Sequence, residues 1–268
     1  MADIRELCRD LEAEHQVLDA AVAGLPDSGW DAPTPAEGWS VRDQISHLAF
    51  FDEEAATAAA DPERFRAEAA EAVRDLHRFI DGPTARGRSM AAPEVLAWWR
   101  AARLALIDAF EGLDASARLP WYGPAMSAPS FVTARLMETW AHGQDVFDGL
   151  GLDRPATARL RHIAHLGVRA LPNSYRARRL PVPDDPVRVA LTGPAGEVWT
   201  WGEDGVENVV RGPALDFCLV VTQRRHPDDT ALEAVGPVAT EWLSIAQAFA
   251  GPPGSGRRPG YSARSGGR

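Results

Sequence analysis

Long apolar runs are missing from the sequence of 268 residues, and cysteine is scarce. No stretch approaches the ~18 to 20 uninterrupted apolar residues of a membrane-spanning helix. The first residues, MADIRELCRD, carry charges where a signal peptide has its apolar core. We therefore expect a cytoplasmic protein with no membrane partner. The sequence has two cysteines, Cys8 and Cys218, 210 positions apart, which excludes a disulfide framework and a cysteine-based zinc cage. A metal would need His, Asp or Glu ligands.

Lysine is absent, and acidic residues outnumber basic ones. All 28 basic residues are arginine, against 38 acidic residues, which gives a net charge of −10. A nucleic-acid surface needs a basic stripe to neutralise phosphates, so we expect small-molecule partners and no nucleic acid. The composition, 45% hydrophobic and 25% charged, is typical of a globular protein and at this length favours two modest domains. Both a monomer and a homodimer fit it.

Apolar residues recur at helical spacing through the first two-thirds of the sequence. Ser40, followed three residues later by Asp43, is a capping-box variant that favours a helix start at Val41. The pattern predicts a helical bundle over residues 1–180, with one further helix after Pro155 and the others over residues 2–25, 41–60, 62–80, 93–112 and 130–147.

The pattern changes after a proline-rich connector at residues 180–186. Residues 187–202 alternate with a period of two around a Gly-Pro-Ala-Gly turn, which predicts a β-hairpin. The apolar run ALDFCLVVT at 214–222 has the length of a strand, and ATEWLSIAQAFA at 239–250 has a helical pattern. We predict a small α+β domain over residues 187–250. The tail at 251–268 has almost nothing to bury, which predicts disorder.

Glu138 and His142 lie four positions apart on the predicted helix 130–147, so their side chains leave the same face. Arg135 and Asp145 extend that face. Buried charges are costly unless they are paired or bind a metal, so the arrangement has two interpretations. One is an Arg135–Glu138 ion pair beside a hydrogen-bonded core histidine. The other is a metal site in which Glu138 and His142 are two of the ligands.

His47 favours the metal interpretation. It lies in the predicted helix 41–60 in an apolar setting, ISHLAFF, where a lone histidine is more often a core residue than a ligand. A bundle that packs this helix against the later one would bring His47 opposite Glu138 and His142. A His/Glu/His set leaves coordination positions open, as catalytic zinc sites do.

Two segments, TPAEGWSVRDQISHLA at 34–49 and METWAHGQDVFDGLG at 137–151, carry a family resemblance. They resemble the DinB-like superfamily, specifically the metal-binding amino-terminal domain of mycothiol-dependent maleylpyruvate isomerases. The carboxy-terminal part is similar to that family's smaller sterol-carrier-protein-like domain. The resemblance implies an up-and-down four-helix bundle that binds a divalent metal, usually zinc, through His47, Glu138 and His142. It also implies mycothiol as a cosubstrate.

The resemblance further implies a thiol chemistry on a small electrophilic substrate. The thiol sulfur would take the open metal position, where the cation favours the thiolate. Attack on an electrophilic carbon then gives isomerisation or a stable S-conjugate. In the isomerases an arginine of the second domain reaches toward the site. Here Arg224 and Arg225 are the candidates for binding a substrate carboxylate, and the alternative is two solvated arginines at a strand end.

Two other functions stay open from the residues alone. A metal without a thiol would lower the pKa of bound water and give a hydrolase. A structural metal would instead give a non-catalytic binding or regulatory module. Six further residues are weaker candidates. Asp145 could accept a hydrogen bond from a ligand histidine, His162 and His165 could bind an anionic group, and His15 could line the pocket. Trp121 and Tyr122 lie in a loop that could close over a ligand.

Overall fold

Helices make up most of the first unit of the computed structural model, which describes residues 3–72 and 76–261, without the side chains of residues 72–81. This unit is Met1–Asp153. It contains two very short strands, β1 (Arg118–Leu119) and β2 (Met126–Ser127), which pair with each other. Its helices are α1 (Ile4–Val22), α2 (Asp27–Trp30), α3 (Val41–Ala60), α4 (Pro62–Ala72), α5 (Leu76–Arg88), α6 (Ala92–Glu111) and α7 (Ala128–Leu150).

Four long helices enclose the core of this unit. Helices α1 and α3 each pack against both α6 and α7, so the four form a closed ring of neighbours. Buried apolar side chains fill its centre, among them Leu18, Ile45, Leu48, Val95 and Trp99. The predicted four-helix bundle is confirmed. No helix in the described ranges is long and apolar enough to cross a membrane.

The start of α3 is fixed by its own sequence. The Ser40 side chain accepts a hydrogen bond from the Asp43 backbone, and Asp43 Oδ2 accepts one from the Ser40 backbone at 2.9 Å. The preceding loop folds back on itself, since Pro33 and Ser40 form a β-bridge and Gly38 adopts a left-handed φ of 77°. This loop presents Trp39 immediately before the helix.

The second unit, Arg154–Arg268, combines a small sheet with short helices. Its elements are α8 (Leu160–Arg169), α9 (Leu171–Ala177), β3 (Val187–Thr192), β4 (Val198–Trp201), β5 (Asn208–Pro213), α10 (Ala214–Val221), a 3₁₀ turn (Pro227–Asp229), β6 (Glu233–Val235) and α11 (Pro237–Ile245). The strand order is β4-β3-β5-β6, with β3 and β5 parallel and the outer pairs antiparallel. The predicted α+β class and the hairpin are confirmed.

The structure differs from the sequence prediction in several places. Helix α5 continues to Arg88, beyond the end predicted at residue 80, and α11 ends at Ile245, short of residue 250. Residues 73–75 of the predicted helix 62–80 lie outside the described chain. The apolar run at 214–222 forms helix α10 and not a strand, because a short run buried all round does not distinguish the two. The unit boundary falls after Asp153, whereas the sequence placed it at 180–187, because α8 packs against α10 with Gly167 close to Val221. Part of the tail predicted to be disordered is hydrogen-bonded: the Gly260 backbone donates to Asp229 at 2.8 Å. Residues 262–268 lie outside the described chain.

Candidate metal centre

Helices α3 and α7 bring the three predicted ligands together. His47 lies in the middle of α3, while Glu138 and His142 lie one turn apart on α7. One potential ligand atom from each residue lies within 4.8 Å of the others. His142 Nε2 is 3.2 Å from Glu138 Oε2, and the rings of His47 and His142 have centroids 4.3 Å apart. Two imidazoles and one carboxylate therefore face a common point.

The carboxyl group of Glu138 is held in its charged form. Burial by itself would raise its pKa, but the interactions with His142, Arg135 and His47 outweigh burial and lower the pKa to about 2. Glu138 is therefore ionised at neutral pH, as a metal ligand must be.

A hydrogen bond orients the ring of His142 from its other side. His142 Nδ1 lies 2.6 Å from Gln44 Oε1, and Gln44 is fully buried on α3. Sequence reasoning missed Gln44, although its position three residues before His47 places it on the neighbouring face of the same helix. Asp145, which the sequence offered as a hydrogen-bond acceptor, lies buried further along α7.

Aromatic side chains surround the cluster. The Trp39 ring stacks near His142, with centroids 5.9 Å apart, and lies 5.3 Å from the His47 ring. Phe51, one turn beyond His47, lies 4.6 Å from that ring. Trp121 and Tyr122, from the loop between β1 and β2, both lie 6.2 Å from Phe51. Apolar walls of this kind lower the local dielectric and strengthen electrostatic interactions inside the site.

A buried ion pair lies beside the cluster. Arg135 donates from Nη2 and Nε to Asp52 Oδ1, at 2.8 and 3.0 Å. Arg135 therefore pairs with Asp52 on α3, and not with Glu138 as one interpretation of the sequence proposed. Burial raises the pKa of Asp52, against the opposing effect of Arg135. His15 Nε2 lies 3.8 Å from Asp52 Oδ2, and burial lowers the pKa of His15 well below 6.5. His15 is thus a neutral core histidine.

The two candidate arginines belong to the second unit. Arg224 and Arg225 follow α10, and each donates to a backbone carbonyl at 2.7 Å, of Thr222 and Arg224 respectively. Arg225 lines a cavity of about 100 Å³ together with other basic side chains, namely Arg178, His226 and Arg257.

The other predicted histidines of this unit lie on α8. His165 Nδ1 accepts a hydrogen bond from Trp201 Nε1 at 3.1 Å, and burial lowers the His165 pKa. His162 lies one turn earlier on the same helix.

The first unit is a four-helix bundle in which two facing helices bring together two histidines and a glutamate, and a small α+β unit follows it in the sequence. These two features define the structural class. Residues 11–147 match the model of the mycothiol maleylpyruvate isomerase N-terminal domain family. This match spans half of the chain, and the chain belongs to that family.

The chain is also similar to individual proteins. Two relatives from Mycobacterium tuberculosis, in strains H37Rv and CDC 1551, are named as uncharacterized proteins; each is 46% identical over 96% of this chain and 100% of its own length. Crystal structures of the mycothiol-dependent maleylpyruvate isomerase and of a mutant of it match with a TM-score of 0.58 and 13% identity, covering 87% of this chain and 93% of theirs. At this identity the match supports the fold.

Proposed function

We propose that this protein is a metal-dependent enzyme that uses a low-molecular-weight thiol, mycothiol, for isomerisation or S-transfer on a small electrophilic substrate. The observation that carries the proposal is the convergence of His47, Glu138 and His142, whose ligand atoms lie within 4.8 Å of one another. Membership of a family named for a mycothiol-dependent isomerase supports the thiol and the reaction class.

The donor set fits a divalent cation such as zinc. Imidazole nitrogens and a carboxylate oxygen bind zinc at about 2.0 to 2.2 Å, and ligand atoms this close together need only small shifts to reach one ion. His47, Glu138 and His142 would hold it, with a further position open to the cosubstrate. When bound, the ion supplies the positive charge that favours the thiolate form of a thiol.

Aromatic side chains complete the proposed site. Trp39 and Phe51 lie against the histidine rings and shield them in part from water, which lowers the local dielectric around a bound thiolate. Arg224 and Arg225 stay candidates for binding a substrate carboxylate, because a guanidinium binds a carboxylate through two parallel hydrogen bonds.

The two buried free cysteines fit a reducing compartment, and we propose the cytoplasm.

Metal analysis of purified variants tests the proposal. We expect about one equivalent of zinc in the wild-type protein, and its loss in His47→Ala and His142→Ala. His165→Ala is the matched control, because it removes a histidine of the second unit. Unchanged zinc content in both ligand variants would refute the site.

A substrate screen with and without mycothiol then tests the chemistry. We expect turnover of electrophiles that depends on both the metal and the thiol. Turnover without the thiol would instead identify a hydrolase. Metal binding without turnover, with a lower melting temperature after chelation, would identify a binding module.

A further inference from the structure

A chain of hydrogen bonds runs from the loop before α3 to the candidate ligand His142. The Thr34 hydroxyl donates to the Trp39 carbonyl at 2.9 Å. Gln44 Nε2 donates to Thr34 Oγ1 at 2.9 Å, and Gln44 Oε1 lies 2.6 Å from His142 Nδ1. Gln44 is fully buried, so water does not compete for its amide.

The first link of this chain sets the direction of all the others. The Thr34 hydroxyl has one hydrogen, and the Trp39 carbonyl accepts it, so Thr34 Oγ1 offers a lone pair to Gln44. The Gln44 amide must therefore direct its NH₂ toward Thr34 and its oxygen toward His142. An amide oxygen only accepts, so His142 Nδ1 must carry the proton.

With the Nδ1 proton fixed, the second ring nitrogen is the one available to a metal. His142 Nε2 faces Glu138, whose Oε2 is 3.2 Å away, within the cluster of candidate ligands. Metal-bound histidines commonly donate their other N–H to an oxygen acceptor, which fixes the tautomer and the ring orientation.

We propose that Gln44 is a positioning residue that sets the tautomer and orientation of His142 for a divalent cation, and that Thr34 orients the Gln44 amide. This inference rests on the proposed metal site. It adds a residue that touches no substrate and acts only through His142. The loop of Thr34 and Trp39 is thereby connected to the metal ligand.

Zinc affinity measures this role directly. The probe is Zn²⁺ alone, titrated into the metal-free full chain in competition with a chromophoric chelator at fixed pH. Gln44→Leu removes the acceptor while keeping a similar volume, and we expect zinc binding about 10- to 100-fold weaker. Gln44→Glu restores an acceptor, and we expect affinity at or above that of the wild type. Thr34→Val frees the amide to rotate, and we expect a smaller loss.

Two controls separate positioning from a general structural effect. Gln247→Leu removes a buried glutamine of the second unit and should leave zinc affinity unchanged. In zinc-loaded protein with ¹⁵N-labelled histidine, a slowly exchanging Nδ1 proton of His142 should appear in the wild type and in Gln44→Glu, and should be lost in Gln44→Leu.

The outcomes distinguish this inference from the proposed function. Wild-type affinity in Gln44→Leu, or equal losses in Gln44→Leu and Gln44→Glu, would overturn the role of Gln44 and leave the metal site intact. Absence of zinc binding by the wild-type protein would overturn the proposed function and the inference with it. If Gln44→Leu does not fold, the zinc affinities of Thr34→Val and Gln44→Glu, each compared with that of the wild type, test the role of Gln44.

Discussion

The buried ion pair between Asp52 and Arg135 joins the two helices that carry the candidate ligands. Asp52 lies on α3 and Arg135 on α7, and their side chains are 0% and 4% exposed. Asp52→Ala would remove the carboxylate and leave a guanidinium in the core of the bundle. Breaking a buried pair in this way costs about 3–5 kcal/mol, because the remaining charge keeps its desolvation penalty without its partner.

The nearby groups place the expected loss toward the lower end of that range. His15 is neutral, so it adds no second positive charge beside Arg135. Glu138, whose pKa Arg135 lowers, is ionised and partly offsets the unpaired charge. We therefore expect Asp52→Ala to lower the free energy of unfolding by about 3 kcal/mol. The double variant Asp52→Ala/Arg135→Met removes both charges, and it should recover most of the loss.

Urea unfolding, followed by far-UV circular dichroism in the presence of a chelator, measures these differences without a contribution from metal. Glu68→Ala is the control, because Glu68 pairs with Arg64 at the surface and the two side chains are 45% and 63% exposed. Pairs of that kind contribute up to about 1 kcal/mol. An Asp52→Ala loss no larger than that of Glu68→Ala would refute the reasoning. A double variant as unstable as the single variant would refute it as well.

Three further substitutions have expected outcomes that urea unfolding can check. His15→Leu should flatten the pH dependence of the free energy of unfolding. Below pH 6.5 the His15 imidazole takes up a proton in the unfolded state but not in the folded state, so the wild-type protein loses up to about 1.4 kcal/mol of stability per pH unit from pH 6.5 downward. Gly149→Ala should cost about 1–3 kcal/mol, because the added Cβ would lie 2.8 Å from the Pro33 carbonyl oxygen. Ser40→Ala should lower the free energy of unfolding by about 1 kcal/mol, because the Asp43 N–H loses the side-chain acceptor that caps the helix. A urea midpoint equal to that of the wild type would contradict the prediction for Gly149→Ala or for Ser40→Ala.

Local signals in the sequence were sufficient for the helices of the bundle. The bounds of α3, Val41–Ala60, follow from a capping serine at one end and an Asp-Pro pair at the other. The spacing of Glu138 and His142 likewise placed both on one face of α7, because helical periodicity is a property of neighbouring residues.

Interactions between helices were not predictable in the same way. The sequence suggested an ion pair between Arg135 and Glu138, because the two residues lie one turn apart. In the structure Arg135 pairs with Asp52, 83 positions away. Gln44 carried no local signal for contact with His142, 98 positions away. The apolar run that forms α10 was assigned to a strand because burial on all sides removes the periodicity that separates the two structures.

The polar contacts between α3 and α7 fix the register of the two helices through protein groups alone. Gln44 meets His142 and Asp52 meets Arg135, so rising numbers on α3 match falling numbers on α7, and the helices run antiparallel. A slide of one helical turn, about 5.4 Å, would separate both pairs at once. His47 lies between the two contacts on α3, so its approach to α7 is set by them. A cation that binds there would meet ligands already in place and would lose little affinity to reorganisation.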